Sequence, residues 1–145
     1  MDFHRRLEDM YARAPISGMI NDHRMKISDG RAELELTIRP EHCHTAKSLH
    51  GSVYFKLLDD TAFFAAQTKD PKFFLFTTSF TLYLMRPVKP GATVSATGAV
   101  VSATKALIVA ESSIFEDGKL VAKGSGTFQR SSVSLESVNG RQARL

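Results

Sequence analysis

Two periods of apolar and polar residues along the chain predict its elements. Residues 2–13 carry apolar side chains at spacings of three and four, which is typical of a helix that covers a core with one face, and Pro15 ends this helix. Residues 31–38 alternate with a period of two, and the pair Asp29-Gly30 before them predicts a tight turn. Residues 19–38 are therefore predicted to form an antiparallel hairpin.

The run from Gly51 to Thr68 is apolar on nearly all sides, and Asp70-Pro71 marks its end. A helix of this kind belongs in the interior of a protein. It nevertheless carries two adjacent carboxylates, Asp59 and Asp60, near its middle. A buried carboxylate is costly unless it has a partner or a chemical role, so this segment is predicted to be both the central helix and the candidate active site.

Strands follow the central helix. Residues 73–84 are predicted to form a long strand, in which positions 77, 79, 81 and 83 face one side and 78, 80, 82 and 84 the other. Because the strand is apolar on much of both faces, it is expected to be buried under the helix. Three further strands are predicted at residues 93–104, 106–116 and 119–130. Beyond residue 131 the apolar pattern fades, which predicts a mobile tail over 131–145. The order predicts one α+β domain over 1–145, with a curved antiparallel sheet wrapped around the central helix.

Composition narrows the class of protein. Hydrophobic residues make up 43% of the chain and charged residues 23%, as in soluble globular proteins. Neither a membrane-spanning run nor the apolar core of a signal peptide is present, so we expect a cytoplasmic protein with no membrane partner. The net charge is +4, but lysines and arginines are scattered, and we expect no nucleic-acid partner. The single cysteine, Cys43, excludes an internal disulfide and lacks an evident catalytic relay.

The two carboxylates have different expected roles. Apolar neighbours on the helix should raise the pKa of Asp59, which could then activate water or attack a carbonyl carbon itself. The alternative is that Asp59 only pairs with Lys56, three residues earlier. Asp60 lies four residues after Lys56 and is expected to form a surface ion pair with it.

The start of the central helix offers backbone donors. Unpaired N–H groups of Gly51 and Ser52 could stabilise an oxyanion, although an ordinary tight turn would also explain the glycine. His50 could order the loop, orient a substrate or act as a base. With His42 and His44 it could suggest a metal site, but the loop has no fixed geometry and no acidic fourth ligand, so no metal is expected.

Several motifs occur in an ordered series: His50-Gly51-Ser52, Asp59 nine residues after the histidine, the turn from Arg86 to Gly91, and Asp117-Gly118-Lys119-Leu120-Val121-Ala122. In order and spacing they resemble the hotdog-fold thioesterases, in particular the PaaI-like acyl-CoA thioesterase group. The resemblance covers roughly residues 19–129. Two positions depart from the usual pattern: Ser52 replaces a second glycine, and His44 stands where relatives often have asparagine.

The resemblance implies hydrolysis of an acyl-CoA thioester, with Asp59 as general base or nucleophile. It implies that the Gly51 N–H holds the thioester oxygen, with the Ser52 N–H as a second candidate donor, and that Gly51 comes from the subunit opposite the one that supplies Asp59. A homodimer with sites at its interface, often assembled into a homotetramer, would follow. Thr77 corresponds to a hydroxyl residue that positions the attacking water. No metal or redox cofactor is implied, since coenzyme A is part of the substrate.

Substrate contacts are expected from residues of several kinds. His44, which stands where relatives often have asparagine, is expected to affect substrate preference, and Phe63 belongs to an aromatic group that is expected to line an acyl pocket. The candidates for the coenzyme A phosphates are Arg86, Lys89, Lys105, Lys123 and Arg130. The alternative function is binding of acyl-CoA without cleavage, as a sensor or carrier. A hotdog dehydratase is disfavoured because His50 is the last histidine in the chain.

Overall fold

The computed structural model describes residues 2–20 and 24–140. Three α-helices and six strands make up the described fold, joined in part by two 3₁₀ turns. In chain order they are α1 Phe3–Arg13, a 3₁₀ turn Pro15–Met19, β1 Met25–Ser28, β2 Arg31–Thr37, a 3₁₀ turn Pro40–His42, α2 Gly51–Gln67, β3 Phe73–Leu84, β4 Thr93–Ala103, β5 Ile108–Glu116, β6 Lys119–Ser134 and α3 Leu135–Gly140. The predicted covering helix, hairpin, central helix and four later strands are all present, whereas the 3₁₀ turns and α3 were not predicted.

The six strands form one antiparallel sheet in the order β1-β2-β4-β5-β6-β3. β2 shows strict alternation of exposed and buried residues, as its period-two sequence predicted. Its buried side chains lie on the face of the sheet that packs against α2, together with those of the neighbouring strands. The α+β class with one helix against a curved antiparallel sheet is therefore confirmed.

The central helix lies in contact with the sheet backbone. Leu57, Leu58 and Ala62 are completely buried. A Cβ atom added to Gly98 in β4 would lie 2.1 Å from the carbonyl oxygen of Thr61, so only glycine allows this approach of helix and strand. This contact holds the middle of α2, where the two carboxylates lie, at a fixed height above the sheet.

β3 is the element whose environment differs most from its prediction. It pairs with β6 alone and forms one edge of the sheet. Phe76, Tyr83 and Leu84 are 51%, 65% and 47% exposed. The prediction that β3 is buried under the helix is therefore correct only in part within a single chain. Leu75 is buried and Thr77 contacts α2, but much of the strand is exposed at the edge of the sheet, beyond which no strand lies among the described residues.

The C-terminal segment also differs from its prediction. β6 continues to Ser134 instead of ending near residue 130, and α3 follows it directly. Leu135 is 2% exposed, and its N–H donates to the carbonyl oxygen of Lys72. The expected tail of 131–145 is thus part of the packed fold as far as this helix, and its last five positions, 141–145, lie outside the described residues.

The N-terminal helix packs on the core with one face, as predicted. Asp2 caps it by accepting a hydrogen bond from the Arg5 N–H at 3.0 Å. Leu7 and Tyr11 are buried, and the Tyr11 ring packs edge-to-face on Phe64 of α2 with 5.5 Å between ring centroids.

None of the helices in the described segments has the length and apolar character that crossing a bilayer requires.

Candidate active site

Asp59 lies halfway along α2, is partly buried, and faces β3. Thr77 of β3 donates a hydrogen bond from Oγ1 to Asp59 Oδ1 at 2.9 Å. Burial raises the pKa of Asp59 above its ordinary value, while the Thr77 hydrogen bond and the charge of Lys56 partly oppose this rise. A raised pKa makes a carboxylate a stronger base near neutral pH, which is the direction that the apolar neighbours on the helix predicted.

A β-bulge follows Thr77 in β3. The register of β3 against β6 shifts between Thr77 and Ser79, which interrupts the regular alternation predicted for this strand. As a result, Thr77 and Phe80 both face the helix, although an odd number of positions separates them. Thr77 bonds to Asp59, and the Phe80 ring packs edge-to-face on Phe55 at 5.4 Å.

Lys56 pairs with Asp60 and not with Asp59. The Lys56 ammonium lies 2.6 Å from Asp60 Oδ2, and the two side chains are only 14% and 19% exposed. The expected pairing with Asp60 is confirmed, but the pair is largely buried and not on the surface. Burial raises the pKa of Asp60, and the adjacent Lys56 opposes this rise. Of the two carboxylates, only Asp59 therefore lacks an ion-pair partner within 4.0 Å among the described residues.

The start of α2 is capped by His50. Its Nδ1 accepts a hydrogen bond from the Ser52 N–H at 3.0 Å and lies 2.7 Å from Ser52 Oγ. Since Nδ1 accepts, the ring proton is placed on Nε2. The Ser52 N–H is thus engaged within the fold, whereas no acceptor within the described segments bonds to the Gly51 N–H. Gly51 is the donor that remains open to a ligand.

Packing does not explain why residue 51 is glycine. A Cβ atom there would have Leu84 Cδ1, at 3.6 Å, as its neighbour, which is an ordinary van der Waals contact. The close distance also shows that the end of β3 lies beside the N-terminus of α2. An open backbone donor without a side chain is suited to close approach by a ligand.

The histidines of the loop before α2 accept hydrogen bonds from nearby backbone N–H groups. His42 is buried and accepts a hydrogen bond from the Arg39 N–H at 3.0 Å through Nδ1, and burial lowers its pKa. His44 is exposed and accepts from the Ala46 N–H at 3.1 Å in the same way. No group of three or more histidine, cysteine, aspartate or glutamate side chains suited to a metal occurs within 2–20 and 24–140.

Two clefts meet at Asp59 and Asp60. A groove of about 610 Å³ runs from the N-terminus of α2 past Lys56, and its wall includes Ile16 and Met19 of the first 3₁₀ turn. A second, apolar cleft of about 380 Å³ lies between α2, β3, α1 and α3. Its aromatic lining consists of Phe63, Phe64, Phe74 and Phe76. Phe63 thus lines an apolar cleft beside Asp59, and its contact with an acyl group stays a prediction. The sequence analysis missed Ile16 and Met19 as lining residues of the groove, because a 3₁₀ turn has no periodic signal.

The expected phosphate contacts are not all available. Arg130 bonds to Asp70 Oδ2 at 2.6 Å and to the carbonyl oxygens of Thr104 and Lys105, so it fixes the fold. Arg86 is exposed just beyond the end of β3, the end that lies beside Gly51. Lys123 is exposed on the sheet face opposite α2, since its neighbour Ala122 is buried. The structure thus brings Arg86 to the same end of the molecule as Gly51 and leaves Lys123 on the other side of the sheet.

Comparison with known proteins identifies relatives of this arrangement. The sequence profile of the thioesterase superfamily matches residues 46–123, which include the start of α2, Asp59 and Thr77. Comparison with curated protein sequences gives no match.

Solved structures resemble the chain over most of its length. The E. coli PaaI protein from the phenylacetic acid degradation operon is 20% identical, with a TM-score of 0.81 and coverage of 92% of this chain and 99% of that one. Zebrafish thioesterase superfamily member 2 is 19% identical, with a TM-score of 0.78 and coverage of 88% and 95%. The smu.793 protein of Streptococcus mutans UA159, solved bound to acetyl CoA, is 17% identical, with a TM-score of 0.71 and coverage of 77% and 90%. At these identities the likeness establishes the hotdog fold, as expected.

Proposed function

The chain belongs to the thioesterase superfamily, and we propose that it hydrolyses an acyl-CoA thioester to a free acid and coenzyme A with Asp59 as general base or nucleophile. The observation that carries the proposal is the state of Asp59. This carboxylate lines two clefts, makes one hydrogen bond to Thr77, and has its pKa raised by burial. The acetyl CoA in the smu.793 structure supports the choice of substrate class.

The reaction uses the free oxygen of Asp59. Thr77 occupies Oδ1, which leaves Oδ2 able to accept a proton from a water that Thr77 Oγ1 also helps to place. The water oxygen attacks the carbonyl carbon, its proton passes to Asp59, and the C–S bond breaks as the thiolate leaves and takes up a proton. In the alternative route, an Asp59 oxygen attacks the carbonyl carbon, the C–S bond breaks, and the thiolate leaves and takes up a proton. Water then hydrolyses the resulting anhydride, which releases the free acid and regenerates the Asp59 carboxylate.

Asp59 and Gly51 of one chain are too far apart to act on the same carbonyl. Eight residues separate them along α2, so at 1.5 Å of rise per residue they lie about 12 Å apart. A single thioester needs its base and its oxyanion donor about 3 Å from the reacting atoms. We therefore infer that Gly51 of a second copy completes the site in a homodimer.

One edge of β3 pairs with no strand of the described fold, and this edge supports the dimer. The edge is next to both Asp59, through Thr77, and Gly51, through Leu84. It carries exposed apolar side chains, including Phe76 and Leu84. Pairing of two β3 strands would cover this apolar edge and bring α2 of each chain towards the other. Assembly into a tetramer and a cytoplasmic location remain predictions.

The acyl group is proposed to occupy the apolar cleft that Phe63, Phe74 and Phe76 line, next to Asp59. Arg86 is proposed to contact a phosphate of coenzyme A, since it is exposed near the end of β3 that lies beside Gly51. Lys123 and His44 are exposed and line neither cleft, so they are weaker candidates for substrate contacts.

Thiol release from a panel of acyl-CoA substrates tests the reaction. Asp59→Asn should lower kcat/KM by about 100-fold or more, because Asn keeps the size of the side chain but cannot take a proton. Asp29→Asn is the matched control, since Asp29 is an exposed carboxylate that pairs with Lys69. Equal turnover by wild type and Asp59→Asn would contradict the proposal. Binding of acyl-CoA without turnover in any variant would instead favour a sensor or carrier.

Gly51→Pro tests the oxyanion donor. Proline is well tolerated at the first position of a helix, and it replaces the hydrogen of the N–H group, which has no partner in the described fold, with a ring carbon. The loss of this donor should lower kcat by about 100-fold or more. Gly51→Ala keeps the N–H and should lose much less activity. If both variants are equally active, Gly51 is not the donor.

Mixed dimers test whether two chains share the site. Asp59→Asn and Gly51→Pro subunits should each be nearly inactive alone. A heterodimer of the two contains one intact site, so random mixing should restore about a quarter of the wild-type activity. No recovery in verified heterodimers would place both groups in one chain.

A further inference from the structure

Lys56 has two carboxylates within reach and bonds to one of them. On a helix, residues three and four positions ahead lie on the same face, so Asp59 and Asp60 are both geometrically possible partners. Lys56 Nζ bonds to Asp60 Oδ2 at 2.6 Å, and no ion pair within 4.0 Å joins it to Asp59 in the described part of the chain. Both members of the pair are largely buried, so Lys56 pairs with Asp60 inside the protein and not in water.

The N-terminal helix holds this arrangement in place. Lys56 Nζ lies over the ring of Tyr11 at 5.6 Å from its centroid, a cation–π contact. Tyr11 is itself 3% exposed and packs on Phe64. α1 thus covers the ion pair from outside and keeps the ammonium beside Asp60.

We propose that Asp60 is a positioning residue that keeps the Lys56 ammonium away from Asp59, so that Asp59 retains a free carboxylate oxygen for the reaction. The inference rests on the proposed role of Asp59. Thr77 already occupies Oδ1 of Asp59. If Lys56 moved to Asp59, it would occupy Oδ2 and neutralise the base, and both effects would oppose catalysis.

Other titratable groups line the groove beside the Lys56–Asp60 pair or face the pair directly. Glu41, His42, Cys43 and His50 line the groove together with Lys56 and the two aspartates, and Tyr11 faces the pair from α1. No ion pair joins Glu41, His42 or His50 to Lys56 or Asp60 in the described fold. Burial raises the pKa of both aspartates, and the charge of Lys56 opposes each rise, so its position affects both groups.

Four proteins test the proposal: wild type, Asp60→Asn, Lys56→Met and the double variant. The double variant keeps the shape of the pair without its charges, a change that folded proteins usually tolerate. The first readout is the pKa of Asp59 from a carboxyl ¹³C NMR titration, and the second is the pH profile of kcat/KM for acyl-CoA hydrolysis.

Asp60→Asn should lower the pKa of Asp59 and shift the acidic limb of the profile to lower pH, with about a tenfold loss of kcat/KM at neutral pH. Adding Lys56→Met should restore kcat/KM to within about threefold of wild type, because the cation that blocks Asp59 is gone. The effect of Asp60→Asn on the pKa of Asp59 should be about twice as large with Lys56 present as in the Lys56→Met background.

A purely structural role for Asp60 predicts a different result. In that case Asp60→Asn would lose activity that Lys56→Met does not restore, and its effect on the pKa of Asp59 would be the same in both backgrounds. Either result would overturn the proposal. The NMR titration does not depend on turnover, so the positioning role would be tested even if the wild type proved unable to hydrolyse acyl-CoA, an outcome that would refute the proposed function alone.

Discussion

Asp59 and Asp70 belong to the same stretch of chain, but they differ in how many hydrogen bonds and ion pairs their carboxylates make. Asp70, just beyond the end of α2, is 6% exposed and accepts hydrogen bonds from the N–H groups of Lys72 and Phe73 at 2.8 and 2.9 Å. It also bonds to Arg130 at 2.6 Å. Asp59, in the middle of α2, accepts one side-chain hydrogen bond, from Thr77.

The pKa values reflect this difference. Burial alone would raise the pKa of Asp70, but the hydrogen bonds from Phe73 and Lys72 and the contact with Arg130 outweigh it, and the pKa is lowered. For Asp59, burial dominates over one hydrogen bond and the more distant Lys56, and the pKa is raised. A carboxylate with filled hydrogen-bonding capacity stabilises a fold, whereas one with spare capacity in a cleft is available for chemistry.

The largest effect on stability is expected at Asp70. Asp70→Ala should lower the free energy of unfolding by about 2–4 kcal/mol, because it leaves the Arg130 guanidinium and two backbone N–H groups without their acceptor. Urea denaturation at pH 7 measures this loss. Activity per folded molecule should be nearly unchanged. A large loss of kcat/KM in folded protein would contradict the purely structural role of Asp70 and its difference from Asp59.

The pH dependence of this stabilisation follows from its sign. Since the folded-state pKa of Asp70 is lowered, its stabilisation is present above the unfolded-state value of about 3.8 and is lost as pH falls through the folded-state pKa. The stability difference between wild type and Asp70→Ala should therefore shrink on acidification below pH 4. A difference that stays constant down to pH 2 would contradict the role of the charged form.

A smaller effect of the opposite sign is expected at Asp59. Its folded-state pKa is raised, so the stability it contributes is present below about pH 3.8 and is lost as pH rises through the folded-state pKa. At pH 7 the wild type carries the cost of a poorly solvated charge, and Asp59→Asn should increase the free energy of unfolding by about 1 kcal/mol or less.

Thermal unfolding of wild type and Asp59→Asn at pH 7 and pH 3 measures this gain and its disappearance in acid. A variant that is less stable than wild type at pH 7 would show that Asp59 has structural partners comparable to those of Asp70.

The smallest effect is expected from Thr77→Val, which removes the single hydrogen bond to Asp59 while keeping the shape of the side chain. Because this bond lowers the pKa of Asp59, its loss should shift the acidic limb of the kcat/KM profile to higher pH. The loss at neutral pH should be about tenfold or less. Thr78→Val is the matched control, since Thr78 is exposed and bonds to Thr127 of β6. An unshifted limb in Thr77→Val would show that this bond does not tune the base.

The sequence by itself determined the elements and the candidate residues. The period of three and four in α1, the period of two in β2 and the apolar run of α2 each depend on local alternation, which a single chain displays directly. The spacing from His50 to Asp59 and the carboxylates in an apolar helix identified the candidate site. The ion pair of Lys56 with Asp60 also followed from spacing along one helix.

Only the tertiary structure decided how those residues are used. The bulge that lets Thr77 and Phe80 both face α2 arises from the pairing of β3 with β6, and the exposed edge of β3 arises from the strand order of the sheet. The full pairing of Asp70 depends on Arg130, 60 residues later. Local periodicity carries no information on such distant partners, because hydrogen bonds and burial between segments are set by how the whole sheet packs on α2.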